Sequence, residues 1–119
     1  MKQELEELLE LLNKLKKSNN LVIVEGQKDK KALERLGFNA NKILTLKKPL
    51  YAVVEEAAGK SRECAILTDL DRKGRELYSR LRQELQKHGV KIDDKLRKFL
   101  FKETKLRQIE GLGSYLKKQ

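Results

Sequence analysis

The sequence predicts an α/β fold with about four parallel strands in the order 2-1-3-4, helices on both faces of the sheet, and an amphipathic helix ahead of the first strand. Two observations predict this class. Short apolar runs alternate with longer segments in which apolar residues recur about every 3.6 positions. The apolar runs are also nearly continuous, which is typical of parallel strands covered on both faces. Helical crossovers are therefore expected between successive strands.

The chain is expected to begin with an amphipathic helix, residues 1–19, that packs on the domain. Leucines recur at helical spacing from Leu5 to Leu15, and acidic side chains precede basic ones, which complements the helix dipole. This leucine stripe could instead serve as a partner or dimer surface. Ser18-Asn19-Asn20 ends the helix, and LVIVE at 21–25 has the β-branched content of a short buried strand.

The later elements continue the alternation. Gly37 is placed to end a helix in a left-handed conformation, Pro49 can start the next helix, and Gly89 can end the one after that. Asp93 is expected to cap the last helix. The predicted strands lie at 42–46, 64–68 and 90–92, and the predicted helices at about 29–36, 49–59, 73–88 and 93–100. Residues 20–102 would form one domain, followed by a C-terminal basic tail at 103–119.

Composition points to a polyanionic partner. The formal net charge is +10 and the isoelectric point is about 9.7, and basic side chains near phosphates release condensed counterions. The single cysteine, Cys64, lies in an apolar run, has no thiol with which to pair, and is expected to be a core residue of a cytoplasmic protein. No stretch reaches the roughly 20 apolar residues that cross a bilayer, so no membrane association is expected.

Carboxylates follow two of the apolar strands. Glu25 ends the first predicted strand, and Asp69 and Asp71 come after the third. In an open parallel sheet, ligands bind beyond the carboxyl ends of the strands where the strand order reverses. The order 2-1-3-4 would make these two strands neighbours and bring the three acids together. Converging carboxylates repel one another unless a cation binds, and an all-oxygen set suits Mg²⁺ or Mn²⁺.

Basic segments flank these acids. Residues 26–49 carry seven basic and two acidic side chains, as do residues 72–91, whereas residues 50–71 carry two basic and five acidic ones. Such runs are usually solvated helix faces. Because they adjoin the acids, some of them are expected to contact phosphates of RNA or DNA, and the candidates are Lys28, Arg72, Lys73 and Arg75.

At these acidic residues the sequence resembles the Toprim domain, a Rossmann-like catalytic module shared by topoisomerases, bacterial-type primases, nucleases and recombination proteins. The shared pattern is E-G-x-x-D, here Glu25-Gly26-Gln27-Lys28-Asp29, followed by D-x-D and a glycine, here Asp69-Leu70-Asp71 and Gly74. Either motif alone carries little information, but the pair is specific. In size the chain is similar to small stand-alone Toprim proteins, including the ribonuclease that matures a small ribosomal RNA.

The resemblance implies roles for these residues. Glu25 would bind a metal and act as a general acid or base, while Asp69 and Asp71 would hold one or two Mg²⁺ ions, with Mn²⁺ as a substitute. Gly26 and Gly74 would permit sharp turns and the close approach of a phosphate. Asp29 is expected to cap the following helix rather than bind metal directly.

Three functions remain open from the sequence. The leading hypothesis is a metal-dependent nuclease acting on RNA or structured nucleic acid. The second is a non-catalytic module that binds nucleic acid or docks on a larger processing complex. The third is phosphotransfer on a small nucleotide, which the basic flanks disfavour. Strand passage is not expected, because topoisomerases supply their nucleophilic tyrosine from a separate domain.

Overall fold

The computed structural model of the protein describes residues 2–118, so the outermost residues of the predicted N-terminal helix and C-terminal tail lie outside the described part. The helices are α1 (Lys2–Lys17), α2 (Gln27–Arg35), α3 (Leu50–Lys60), α4 (Arg72–Lys87), α5 (Lys95–Glu103) and α6 (Leu112–Lys117). The strands are β1 (Leu21–Val24), β2 (Ile43–Thr45), β3 (Glu63–Ile66) and β4 (Lys91–Ile92). Short 3₁₀ turns lie at Ala40–Lys42 and Ile109–Gly111.

The sheet has the predicted topology. Its strands are all parallel and lie in the order β2-β1-β3-β4, which confirms the α/β class and the order 2-1-3-4. In the β1–β3 pair, Ile23 is opposite Ile66. The two strands therefore end at nearly the same height, and the residues that follow them leave the sheet side by side.

Alternate residues of β1 face two separate cores. Val22 and Val24 pack with α1, α2 and α5 on one face, while Leu21 and Ile23 pack with α3 and α4 on the other. The leucines of α1 that are buried, Leu8, Leu12 and Leu15, belong to the first core, and α1 lies against α5. The N-terminal helix is thus part of the folded domain, and helices cover both faces of the sheet as predicted.

The segment after α5 contributes to the same core. It had no clear period in the sequence, yet Ile109 and Leu112 are completely buried. A 3₁₀ turn followed by one short helix buries isolated apolar residues with no sustained repeat, so periodicity does not detect it.

Several helix ends agree with the sequence analysis and two differ. Gly37 and Gly89 have φ angles of 96° and 78°, as expected for glycines that end helices. Helix α2 begins at Gln27, earlier than predicted. Asp94 rather than Asp93 occupies the N-cap position of α5, although the Asp93 carboxylate does accept a hydrogen bond from the Lys95 N–H at 3.2 Å.

Within residues 2–118, no helix combines the length and the apolar composition required to traverse a bilayer.

Cys64 is expected to resist thiol reagents in the folded protein. It is completely buried, and burial, together with the charge of Glu63, raises its pKa to about 11. The reactive thiolate is therefore roughly one part in a thousand at pH 8. Labelling with a chromogenic aromatic disulfide should be at least about 100-fold slower in buffer than in denaturant. Equal rates in the two conditions would contradict the burial of Cys64.

Candidate functional site

The two acidic motifs meet at the carboxyl edge of the sheet. Glu25 follows β1 and Asp69 lies just beyond β3, 44 residues further along the chain. Glu25 Oε2 accepts a hydrogen bond from the backbone N–H of Asp69 at 2.8 Å. This contact fixes the Glu25 side chain against the start of the D-x-D turn, so the sheet brings together two acids that are distant in sequence.

The C-terminal segment orients the Asp69 side chain. Asp69 Oδ1 accepts a hydrogen bond from the backbone N–H of Ile109 at 2.9 Å, and Ile109 is itself anchored in the core. The carbonyl of Arg107 accepts a second bond in this region, from the N–H of Leu70 at 2.7 Å. This contribution has no signal in the sequence, because every residue other than proline carries the same backbone donor.

Asp71 occupies a different environment. It is the N-cap residue of α4, where its Oδ1 accepts a hydrogen bond from the Gly74 N–H at 2.8 Å, and it is exposed to solvent. In the part of the chain that the structure describes, no cluster of three or more carboxylate, imidazole or thiolate side chains is arranged to hold a metal ion. Asp71 therefore lies at the same edge as Glu25 and Asp69, with its carboxylate directed to the helix terminus.

Asp29 lies in the same acidic environment. Its Oδ2 accepts a hydrogen bond from the Gly26 N–H at 3.0 Å, across the first turn of α2, and the residue is buried. Burial raises the pKa of Asp29, the Gly26 hydrogen bond lowers it, and the negative charges of Asp69, Glu25 and Glu110 raise it further. The net effect is a raised pKa, caused mainly by burial and increased by the three neighbouring carboxylates. Glu110 is an acidic neighbour that the sequence analysis did not single out.

Arg97 is the main positive group that the sequence analysis missed. It is only 7% exposed, and its guanidinium donates to the carbonyl oxygens of Thr68, Asp69 and Gly74. Burial lowers the pKa of Arg97, and the negative charges of Glu25 and Asp69 act in the opposite direction. In the sequence, the signal for this role is that Arg97 is a basic residue between apolar positions of α5. Arg97 ties the D-x-D turn to α5 and partly balances the acids.

Replacing Arg97 with lysine is expected to destabilise the protein by about 2–4 kcal/mol, because an ammonium group cannot reach all three carbonyls and an unpaired buried carbonyl costs about 1–3 kcal/mol. Urea denaturation would measure the change. Lys102→Ala, at an exposed position of the same helix, is the matched control and should stay within about 0.5 kcal/mol of wild type. An Arg97→Lys protein as stable as the control would contradict this role.

The glycines of the two motifs, Gly26 and Gly74, lie in different surroundings. A Cβ added at Gly74 would lie 1.9 Å from the Asp69 carbonyl oxygen, so α4 approaches the D-x-D turn too closely for any side chain. At Gly26 the nearest atom to an added Cβ is Asp29 Oδ2, at 4.0 Å, and the backbone is extended. Neither glycine has a positive φ angle. Neither glycine therefore supplies a left-handed conformation, and close approach within the protein accounts for Gly74.

The predicted phosphate-contacting side chains border the acids. Lys28 lies in the first turn of α2, and Arg72, Lys73 and Arg75 lie in the first turn of α4. All four are exposed. Arg72 forms an ion pair with Glu76 at 3.4 Å, but such exposed pairs contribute little and leave the guanidinium accessible. Basic groups thus surround the edge of the sheet at which Glu25 and Asp69 meet.

The fold and site define a class: a parallel α/β domain in which acidic residues follow two neighbouring strands and basic helix N-termini surround them. Comparison with known proteins identifies the family. Residues 20–103 match the Toprim domain, and the chain belongs to the Toprim family. Membership indicates a metal-dependent function connected with nucleic acid.

Small archaeal proteins are similar over nearly the whole chain. The UPF0292 protein of Methanocaldococcus jannaschii is 36% identical over 119 residues, covering 96% of this chain and 93% of that protein. A UPF0292 protein of Thermococcus onnurineus is 39% identical over 91% of this chain and 83% of its own length. A solved structure of a protein from Aquifex aeolicus superposes with a TM-score of 0.79 at 30% identity, covering 88% of this chain and 97% of that one. The chain is thus similar to each of these proteins over most of that protein's length.

Proposed function

We propose that this protein is a Mg²⁺-dependent nuclease that acts on RNA or structured nucleic acid. The observation that carries the proposal is the contact between Glu25 and the Asp69 backbone at 2.8 Å, which joins the two acidic motifs at the ligand-binding edge of a parallel sheet. Central carboxylates with basic side chains around them suit cleavage of a phosphodiester bond. The carboxylates would hold a metal ion at that bond, and the basic side chains would bind the flanking phosphates.

Glu25, Asp69 and Asp71 would hold one or two divalent ions, Mg²⁺ or Mn²⁺. The donor set fits such an ion because it consists of carboxylate oxygens alone. One oxygen of each side chain accepts a backbone N–H. A bound cation would use the other oxygen, which for Asp71 requires its carboxylate to approach the other two, because residues 2–118 do not hold the three as a ligand cluster. When bound, the ion would neutralise charge on phosphate oxygens and lower the pKa of a water molecule.

The chain's own residues would carry out the proton transfer and position the substrate. Glu25 would move a proton to or from a nucleotide oxygen as general acid or base. Lys28, Arg72, Lys73 and Arg75 would bind the phosphate backbone beside it and offset the charge that develops in the transition state. Arg97 would act only indirectly, by holding the D-x-D turn through its three carbonyl contacts.

A cleavage assay tests this proposal directly. Labelled structured RNA, single-stranded DNA and duplex DNA would each be incubated with the protein in Mg²⁺, Mn²⁺ or EDTA. Cleavage of at least one substrate is expected with metal and none with EDTA. Absence of cleavage in every condition would exclude the nuclease proposal for these substrates.

A second candidate is a binding module that holds nucleic acid, or docks on a larger processing complex, without cutting. The capping role of Asp71 favours this candidate, since one of its carboxylate oxygens already accepts the Gly74 N–H and, among residues 2–118, the three acids do not form a ligand cluster. The same assay separates the two. Retention of nucleic acid without cleavage in all metals supports the module, and metal-dependent cleavage excludes it.

A further inference from the structure

An exposed phenylalanine lies beside the D-x-D turn. Phe101, on α5, is 43% exposed. The guanidinium carbons of Arg75 and Arg107 lie 5.6 Å and 5.1 Å from the centroid of its ring, both within the range of a cation–π contact. Among residues 2–118, neither arginine forms an ion pair with a carboxylate. We call these three residues, Arg75, Phe101 and Arg107, the Phe101 patch.

A cavity of about 270 Å³ adjoins the Phe101 patch. Phe101, Tyr78 and Leu70 supply apolar parts of its wall, and the charged residues that line it, Arg75, Arg97 and Lys98, are all basic. The volume is slightly below the range of about 300–1,000 Å³ that is usual for sites of drug-sized ligands. Arg97 is already bonded to three backbone carbonyls and Lys98 is paired with Asp94. The cavity therefore has room for a small planar group, and Arg75 can pair with an anion attached to it.

The Phe101 patch and the acidic site share one turn of the chain. Leu70, which lines the cavity, stands between Asp69 and Asp71, and consecutive Cα atoms are about 3.8 Å apart. The Leu70 N–H donates to the Arg107 carbonyl at 2.7 Å, which fixes the backbone of the patch to that turn. A group bound at the patch would therefore lie next to a phosphate bound at the acids.

We propose that the Phe101 patch is a stacking platform for an unpaired nucleobase that neighbours the phosphate at the acidic site. This inference rests on the proposed function and deepens it, because it assigns single-stranded or looped nucleic acid as the preferred substrate class. A base inside a continuous duplex has both faces covered by its neighbours and cannot stack on a side chain. An aromatic ring flanked by guanidinium groups binds unpaired bases of any sequence.

The sequence provides a sensitive test because it contains no tryptophan. Phe101→Trp would introduce a single tryptophan at the patch, which can be excited selectively in the presence of the three tyrosines. Titration in EDTA with a single-stranded oligonucleotide of about 12 residues is expected to quench its fluorescence strongly, while the blunt duplex of the same sequence quenches weakly. Tyr51→Trp is the matched control: Tyr51 is an exposed aromatic residue on α3, 69% accessible, and should show no strand-specific quenching.

Binding measurements complement the fluorescence. Phe101→Ala and Phe101→Leu are both expected to weaken single-strand binding about 10-fold or more, since both remove the aromatic face, and to change duplex binding less than about 2-fold. Thermal melting would establish that each variant is folded. If Phe101→Ala loses affinity for the single strand but Phe101→Leu does not, the patch supplies apolar contact alone. That result would overturn the stacking proposal.

Failure of this inference can be told apart from failure of the proposed function. If the wild type cleaves in Mg²⁺ but Phe101→Trp shows no quenching and Phe101→Ala binds normally, stacking is excluded and the nuclease proposal stands. If the wild type binds no nucleic acid, both the stacking proposal and the nuclease proposal are wrong. If a polyglutamate peptide quenches Phe101→Trp and oligonucleotides do not, the patch binds acidic protein segments and the stacking proposal is wrong.

Discussion

Glu25→Gln is expected to reduce cleavage about 10²- to 10⁴-fold while leaving the fold and nucleic-acid binding intact. General acid–base groups contribute a factor of this size, and the loss of charge also weakens the cation site. The fold should persist because a glutamine side-chain oxygen can still accept the hydrogen bond from the Asp69 N–H, which Glu25 Oε2 accepts at 2.8 Å. Single-turnover cleavage in Mg²⁺, together with binding in EDTA, would measure the two effects separately.

Glu63→Gln is the matched control for this experiment. It makes the same chemical change on the same sheet, but Glu63 is the first residue of β3 and lies at the opposite end of that strand from the acidic site. Cleavage by Glu63→Gln should equal that of the wild type. Normal turnover by Glu25→Gln would remove Glu25 from the mechanism, whereas equal losses in both variants would point to a general effect of charge.

Gly74→Ala is expected to lower stability by about 3 kcal/mol, toward the upper end of the usual cost of overpacking. The added Cβ would lie 1.9 Å from the Asp69 carbonyl oxygen and 2.4 Å from its carbon. These are backbone atoms, so no side-chain rotation can relieve the clash. The displaced turn would also lose contacts that converge on the Gly74 carbonyl, from Thr68 Oγ1 at 2.6 Å and from Arg97. Urea denaturation would measure the loss, and a fall in Tm of roughly 10 °C is expected.

Gly59→Ala tests whether this effect is specific to the site. Gly59 is also inside a helix, α3, but nothing lies within 4 Å of an added Cβ there. Gly59 is the next-to-last residue of α3, so alanine should stabilise the protein by up to about 1 kcal/mol, the difference between the two residues in a helix interior. A Gly74→Ala protein that matches Gly59→Ala in stability would show that α4 can move away from the turn without cost.

The fold was largely predictable because its signals are local. Continuous apolar runs mark buried parallel strands, a helical period marks the crossovers, and Gly37 and Gly89 end helices with the positive φ angles expected of them. The C-terminal segment was not predictable in the same way. Ile109 is buried by long-range packing, and a short 3₁₀ turn has no repeat from which to read that burial.

The candidate site was predictable only in part. Motif spacing and strand order together predicted that Glu25 and Asp69 lie at one edge of the sheet, and the structure brings them into contact. The supporting contacts depend on tertiary geometry instead. Arg97 reads as one more basic helix residue, and the Ile109 N–H that orients Asp69 is a backbone group. The cap formed by Asp71 likewise depends on where α4 begins, which sequence patterns define only to within a few residues.

Divalent-cation binding tests the central claim most directly. Electron paramagnetic resonance of Mn²⁺ would give the affinity for wild type, Glu25→Gln, Asp69→Asn and the Glu63→Gln control. Asp69→Asn is suitable because its amide oxygen can still accept the Ile109 hydrogen bond that Asp69 Oδ1 accepts at 2.9 Å. Wild type and Glu63→Gln are expected to bind Mn²⁺ equally, and Glu25→Gln and Asp69→Asn are expected to bind it at least about 10-fold more weakly. Equal affinity in all four proteins, or no binding by any of them, would contradict a metal site at Glu25 and Asp69.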